Sequence, residues 1–281
     1  MKPETSASKS STKVVLVTGA SSGIGAATAQ RLVRAGYRVY GTSRRGAGPD
    51  GGNFEMLTLD VTDDDSVDEV VAQVMAQAGR IDVLVNNAGF GVSPAGAEES
   101  SLDQARAIFD TNFFGVIRMT RAVLPHMRAL GNGRIINIGS VLGLLPMPYG
   151  ALYSATKHAL EGYSESLDHE TRTRGIRVSV IEPAFTQTRF DANLMVPDAM
   201  RDEYRQIRAH LNTLLPTQIA KGDDPGVVAD IVLRAATARQ PRARYTAGKS
   251  AAVLALLRRI APAAMVDRGI RQSFKLDAVN I

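Results

Sequence analysis

From Lys13 to about Ala247, short apolar runs rich in β-branched residues alternate with longer stretches of helical period, and a Gly, Asn or Asp stands at nearly every switch. The first run, Val14 to Val17, leads into a Gly-rich turn and a helix over about 24–34 that Gly36 ends. Residues 37–42 and 54–59 read as the next two strands. Residues 63–78 read as an amphipathic helix: three aspartates open it, where negative charge meets the positive end of the helix dipole, and Gly79 stops it. Runs 81–85, 134–138 and 176–181 are too uniformly apolar for strands with one wet face, and such runs belong to strands covered by helices on both sides. Helices over about 102–130 and 151–174 separate them. The repeated β-α-β order predicts an α/β chain: a single domain built on a doubly wound parallel sheet with helices on both faces.

Residues 1–12 carry lysines but no apolar stretch, so they read as a flexible tail rather than a secretory signal. Residues 13–248 are the expected domain. Within it, 190–215 is polar, contains methionines and is broken by Pro197, which predicts a mobile cover over a substrate site. Pro216, directly after it, reads as a second break. A helix over 225–238 and a short strand near Tyr245 come next, and 249–281 read as a basic helical extension. Of the chain's net charge of +5, the segment 239–281 supplies nine Lys or Arg against two Asp, so the remainder is slightly acidic and no nucleic-acid surface is expected. No run approaches the ~18 apolar residues that span a bilayer. Cysteine is absent, which excludes a disulfide framework, a thiolate metal site and a cysteine nucleophile, and fits a reducing compartment such as the cytoplasm. The four histidines show no paired ligand spacing, and no metal is expected.

Thr18-Gly19-Ala20-Ser21-Ser22-Gly23-Ile24-Gly25 lies where the first strand hands over to the first helix. Three glycines so spaced permit a tight turn, a close backbone approach to a pyrophosphate and close packing of helix on strand, with helix N-terminal amides facing the anion. A plain tight turn is the bland alternative. At the end of the second strand, where a carboxylate would accept from both ribose hydroxyls of NAD, stand Thr42-Ser43-Arg44-Arg45. A guanidinium there suits a 2′-phosphate, so NADP is the expected cofactor, with Arg45 read as part of a solvated turn. Tyr153 and Lys157 are four residues apart near a helix start and share one face. A free phenol titrates at about 10, and an ammonium neighbour favours the phenolate and brings it toward the working range. Ser140 stands just past the 134–138 strand, at the carboxyl edge where ligands bind in such sheets. Each glycine or Tyr–Lys pattern alone would occur by chance in about one chain in five, so their joint placement carries the inference.

In order and spacing, the TGxxxGxG at 18–25, Asn86-Asn87-Ala88-Gly89, Asn112, Ser140, Tyr153-x-x-x-Lys157 and Pro183 resemble the short-chain dehydrogenases/reductases over about residues 13–245. The second strand's VYGTSRR and an apolar loop described below resemble the hydroxysteroid and retinol dehydrogenase branch of that family. The resemblance implies a Rossmann-like fold and a hydride-transfer enzyme. It makes Tyr153 the general acid or base at a carbonyl oxygen and Ser140 a hydrogen-bond partner of that oxygen. Lys157 would hold the nicotinamide ribose and lower the tyrosine pKa, and Asn112 would anchor a water of the proton relay. The cofactor-binding set it implies is Gly19, Ser21, Ser22, Gly23, Ile24 and Gly25 at the turn, Ser43 and Arg44 at the 2′-phosphate, and Asp60 and Val61 at the adenine. Asn87, Ala88 and Gly89 would line the groove beside Tyr153, Lys157 and Pro183, and Thr186 and Thr188 would reach the carboxamide and pyrophosphate. The family usually has Pro-Gly where Pro183-Ala184 stand, and the added methyl predicts a slightly shifted loop. A homodimer or homotetramer joined through helices 102–130 and 151–174 is also implied.

The function so expected is NADP-dependent interconversion of a secondary alcohol and a ketone or aldehyde. Leu142, Leu144, Leu145, Pro146 and Met147, between the serine and the tyrosine, are apolar, and with the 190–215 cover they predict a lipophilic substrate pocket. One alternative is a 3-oxoacyl thioester reductase, which needs a basic landing site near the pocket. Another is a non-catalytic NADP-sensing module, against which the complete Asn112, Ser140, Tyr153, Lys157 set speaks. Residues 251–260, with Arg258 and Arg259, read as a helix packed on the pocket or on a second subunit, or as a peripheral membrane contact.

Overall fold

The computed structural model describes residues 12–49, 51–188, 190 and 194–278, so the expected tail, apart from Thr12, lies outside the described residues. Seven parallel strands form one sheet: β1 (Val14–Val17), β2 (Arg38–Ser43), β3 (Glu55–Thr58), β4 (Val83–Asn86), β5 (Gly133–Ile138), β6 (Ile176–Pro183) and β7 (Arg244–Ala247), in the order β3-β2-β1-β4-β5-β6-β7. Alternation along each strand divides the core in two. Val14 and Leu16 point to a face covered by α2 (Asp64–Ala78), α4 (Gly115–Leu130) and α5 (Ala151–Thr171), where they meet Val67, Val70, Met119, Val123 and Leu167. Val15 and Val17 point to the other face, under α1 (Gly23–Arg34) and α7 (Pro225–Thr237), among Ala29, Leu32, Val228 and Val232. Every β1 and β4 residue is buried, which is why those runs carry no polar alternation. Strand order reverses between β1 and β4, so a crevice opens at their carboxyl ends.

Local chemistry sets the element ends. Asp63 caps α2, its carboxylate accepting from Ser66 N–H at 3.1 Å, and Gly79 ends the helix in a left-handed conformation. The single helix expected over 102–130 is divided into α3 (Leu102–Phe109) and α4 by a π turn at Asp110–Phe114. Gly115 lets α4 press on Val61: a Cβ there would stand 2.8 Å from Val61 Cγ2. The cover also departs from expectation, because α6 (Arg205–Ala220) runs through Pro216. Pro216 and Asn212 are exposed, so water can satisfy the carbonyl the proline leaves unbonded. After α8 (Lys249–Ile260), Pro262 caps a further helix, α9 (Ala263–Ser273).

Candidate active site

The loop from β1 to α1 turns within the crevice. Gly19 has φ +67°, and a Cβ on it would lie 3.0 Å from Ala88 Cα. A Cβ on Gly25 would lie 2.2 Å from the Gly19 carbonyl oxygen, so the loop and the helix approach closely only because both are glycines. Thr18 ties this loop to the end of β4: its Oγ1 accepts from the N–H groups of Asn87 and Ala88 at 2.9 and 3.0 Å. Asn87 Nδ2 donates in return to the carbonyls of Thr18 and Gly19 at 2.9 and 3.0 Å. At the head of α1, Ser22 makes no side-chain capping bond and the first turn holds no acidic residue, which leaves the positive pole of the helix uncompensated. Ser21, Gly23 and Ile24 are half-buried beside it. Thr188 Cγ2 would lie 3.2 Å from a Cβ on Gly23, so the chain after β6 returns to this turn. Glycine cradle, bare helix terminus and threonine together fit the diphosphate of a nicotinamide dinucleotide.

At the other end of the crevice, β2 finishes at Ser43, whose Oγ donates to Ala47 O at 2.9 Å, and Arg44 and Arg45 follow, both exposed. The Asp60 carboxylate accepts from Thr62 N–H and Oγ1 at 2.9 and 2.7 Å. Burial pushes that carboxyl up, but these bonds and the charges of Arg44 and Arg118 outweigh it and hold it below its usual range. Arg44 therefore stands within electrostatic reach of Asp60, and Val61 is buried behind them.

Ser140 follows β5 and accepts at Oγ from Leu142 N–H at 3.1 Å, capping a short 3₁₀ turn. The first turns of α5 bring Tyr153 and Lys157 to the same edge, where the Ser140 hydroxyl lies close enough to the Tyr153 phenol to favour its ionised form. Lys157 Nζ donates to Ile138 O at 2.8 Å and lies 5.5 Å from the Tyr153 ring centroid. Burial pushes the phenol up and the nearby serine hydroxyl offsets only part of this, whereas spacing alone suggested a lowered value. Lys157 is itself pushed down to about 8 by burial, against the upward pull of Glu161. Two groups desolvated together each lose more than a ring-to-ammonium contact returns. Asn112, in the π turn, accepts at Oδ1 from Phe90 N–H at 3.0 Å and donates from Nδ2 to Phe90 O at 2.8 Å. Its side chain thus fixes the loop after β4, and Gly89 passes so close that a Cβ would stand 2.9 Å from Asn112 Oδ1.

A family model described as short chain dehydrogenase matches residues 13–198. The chain belongs to this family. A 3-ketodihydrosphingosine reductase of Bacteroides thetaiotaomicron is 36% identical over 244 residues, covering 86% of this chain and 90% of the relative. The estradiol 17-beta-dehydrogenase 1 of Rattus norvegicus is 36% identical over 253 residues, covering 83% of this chain and 72% of the relative. A solved short-chain dehydrogenase from Streptomyces avermitilis shares 33% identity with a TM-score of 0.74, covering 96% of this chain and 98% of that one.

In this short-chain dehydrogenase Pro183 is the buried last residue of β6, and Ala184 keeps ordinary backbone geometry. Among the described residues only Tyr149 and Lys275 combine a side chain with positive φ, so a glycine at 184 is not required by conformation. Thr186 is buried, donates from Oγ1 to Ala184 O at 3.1 Å and bridges Asp223 through the backbone. Two features escaped the sequence reading. Phe190 packs edge-on against Tyr153 at 5.7 Å, while Met195 pairs with the backbone of Gly91 and Ser93. These contacts bring Phe190 and Met195, at the near end of the expected cover, toward Tyr153, and a cavity of about 20 Å³ remains, lined by Val92, Ala95, Tyr149, Leu152 and Tyr153 among others. The second is a buried acid pair behind Lys157: Glu161 on α5 and Glu182 on β6, with Arg244 of β7 at 2.8 Å from Glu161 and 3.7 Å from Glu182. A carboxylate directly after the run 176–181 was its visible signal.

Proposed function

We propose that the chain is an NADP-dependent carbonyl reductase or alcohol dehydrogenase that interconverts a secondary alcohol and a ketone or aldehyde on a lipophilic substrate. The observation that carries this reading is the buried Tyr153 phenol, with the Ser140 hydroxyl near it and Lys157 beside its ring, at the carboxyl edge of the same sheet as the glycine cradle. The dinucleotide, when bound, supplies or accepts the hydride. Gly19 to Gly25, Asn87, Ala88 and Gly89 would hold its diphosphate side, with Thr186 and Thr188 behind. Ser43, Arg44, Asp60 and Val61 would hold the adenosine end, where the Arg44 guanidinium suits a 2′-phosphate.

Tyr153 then gives its phenolic proton to the carbonyl oxygen, or takes it back in the reverse direction, and Ser140 steadies that oxygen. A phenol that burial keeps protonated is a competent acid only if the emerging phenolate is stabilised, which is the part of the Lys157 ammonium. Asn112 positions the loop from Asn87 to Phe90, and because Phe90 occupies its amide, any relay water falls to the backbone of the π turn. The lipophilic substrate class draws support from the apolar cover on Tyr153, from the 142–147 loop, and from relatives named for a sphingoid ketone and a steroid. Assembly as a homodimer or homotetramer draws support from Leu102 and Phe114, exposed at 72% and 48% on α3 and the adjoining π turn. Light scattering of the purified protein checks the oligomer, and a monomer would refute it.

The test of the reaction is NADPH against NADH oxidation over ketones from small to steroid-sized, with 3-oxoacyl thioesters as a further arm. NADPH-selective turnover of bulky ketones, lost by at least ~10³-fold in Tyr153→Phe with cofactor binding retained, is expected. Thioester turnover alone, or wild-type rates in the variant, overturns the reading.

A further inference from the structure

The outer face of α8 is apolar where a terminal helix of a self-contained domain would be polar. Val253, Leu256, Leu257 and Ile260 recur at i, i+3, i+4 and i+7, so they form one stripe, and they are 55%, 56%, 44% and 66% exposed. Ala251, the residue α8 buries, lies about 180° round the helix from Ile260, at 100° per residue. The stripe therefore points directly away from the body. Its direction is set at the root of the helix: Gly248, at φ +88°, presses so closely on Asp223 that any side chain there would collide with the carboxylate. With Met265 of α9, this hairpin carries five of the twelve large apolar side chains exposed among the described residues.

The charge along α8, α9 and the residues just after them is one-sided. Lys249, Arg258, Arg259, Arg268, Arg271 and Lys275 stand against Asp267 and Asp277, and Arg271 already pairs with Asp277. Lys249 sits in line with the stripe and Arg259 flanks it. A two-fold contact between copies would bring this basic surface against itself, with like charges opposed. A polyanionic, apolar-backed surface complements it on both counts.

The hairpin is also joined to the substrate cover. Phe274 and Leu276, just beyond α9, pack with Ile207 and Leu211 of α6 and with Tyr149, and His210 Nε2 hydrogen-bonds Phe274 O at 2.9 Å. Tyr149 lines the cavity beside Tyr153.

We infer that the α8–α9 hairpin is a docking surface for an anionic lipid bilayer, seating the apolar stripe at the headgroup boundary and its lysines and arginines on lipid phosphates. The cover and the cleft it roofs then stand next to the membrane, the phase in which a lipophilic carbonyl compound concentrates. This last point rests on the proposed substrate class; the docking does not.

The test is co-sedimentation of the full-length protein with vesicles of phosphatidylcholine, and with vesicles in which about 30% is replaced by phosphatidylglycerol. Partition at least ~10-fold stronger onto the anionic vesicles, weakened at ~0.5 M NaCl, is expected. Leu256→Ser with Ile260→Ser lowers that partition by about tenfold or more at unchanged far-UV circular dichroism and Tm. Lys249→Glu with Arg259→Glu removes the anionic preference, and because both residues are exposed this pair carries the test should the serine variant lose its fold. No binding to either vesicle, equal binding to both, or wild-type partition in both variants overturns the inference. So does a fall in oligomer size in the serine variant by light scattering, which would mean that a second copy covers the stripe. No turnover is read, so failure here is separate from failure of the proposed reaction.

Discussion

Glu182 offers a sharp test of how the core behind Lys157 is charged. Its side chain is 2% exposed, faces Glu161 of α5 and Arg244 of β7, and Oε1 has no hydrogen-bond partner. Burial and the neighbouring Glu161 push it up from 4.5 to about 7, more than Arg244 pulls it back. Burial pushes Glu161 up as well, against the pull of Arg244. A carboxyl held near 7 favours its protonated form in the folded chain by up to ~3 kcal/mol. Arg244 is 38% exposed, so water screens the cluster from one side, and about 2 kcal/mol is the working figure. The sign follows from a folded value above the unfolded one: this stabilisation is complete below 4.5 and is lost as pH rises through about 7. Glu182→Gln keeps the shape and removes the titration. Urea unfolding of both proteins at about pH 5, 6, 7 and 8 should show wild type losing ~2 kcal/mol relative to the variant across that range, most of it between pH 5 and 7. A stability difference that stays flat with pH, or that grows in favour of wild type, would refute the assignment of a protonated Glu182.

Arg44→Ala should weaken NADPH binding by at least ~10-fold and leave NADH within a factor of about two, since only the 2′-phosphate loses a charge-assisted partner; fluorescence titration of both cofactors checks it, and equal losses place the phosphate elsewhere. Gly25→Ala puts a methyl 2.2 Å from the Gly19 carbonyl, so the turn must move away from the helix. About 1–3 kcal/mol of stability and most cofactor affinity should go with it, whereas wild-type Tm and titration would show that the turn is not closely packed.

The sheet was legible because parallel strands buried on both faces cannot hide their composition: 14–17 is apolar throughout, 83–85 and 176–181 are dominated by Val, Ile and Leu, and each lies on a strand. Helix ends were legible wherever a cap marked them, as at Asp63 and Gly79. The break in 102–130 was not, because a π turn has no residue signature, and its one trace, Gly115, is explained only by the distant Val61. Pro216 misled in the opposite direction: a proline speaks against a helix interior, yet on an exposed helix water takes the place of the missing bond.

For the site, spacing along α5 brought Tyr153 and Lys157 to one face and chain order brought Ser140 to the same edge, so the constellation could be named from the sequence. The electrostatics could not. A Tyr–Lys spacing predicts a lowered phenol when the pair is imagined in water, and burial, a property of the assembled fold, reverses the direction. The same holds behind Lys157, where Glu161 lies one turn further along the helix, while Glu182 and Arg244 reach it only because β6 and β7 pair side by side, with Glu182 opposite Thr246. What binds Lys157 to its charge is therefore divided between α5 and two strands that sequence distance gives no reason to connect. A lysine held near 8 stays mostly protonated at neutral pH, and the charge that pulls it upward is that of Glu161, whose carboxylate Arg244 pairs from β7.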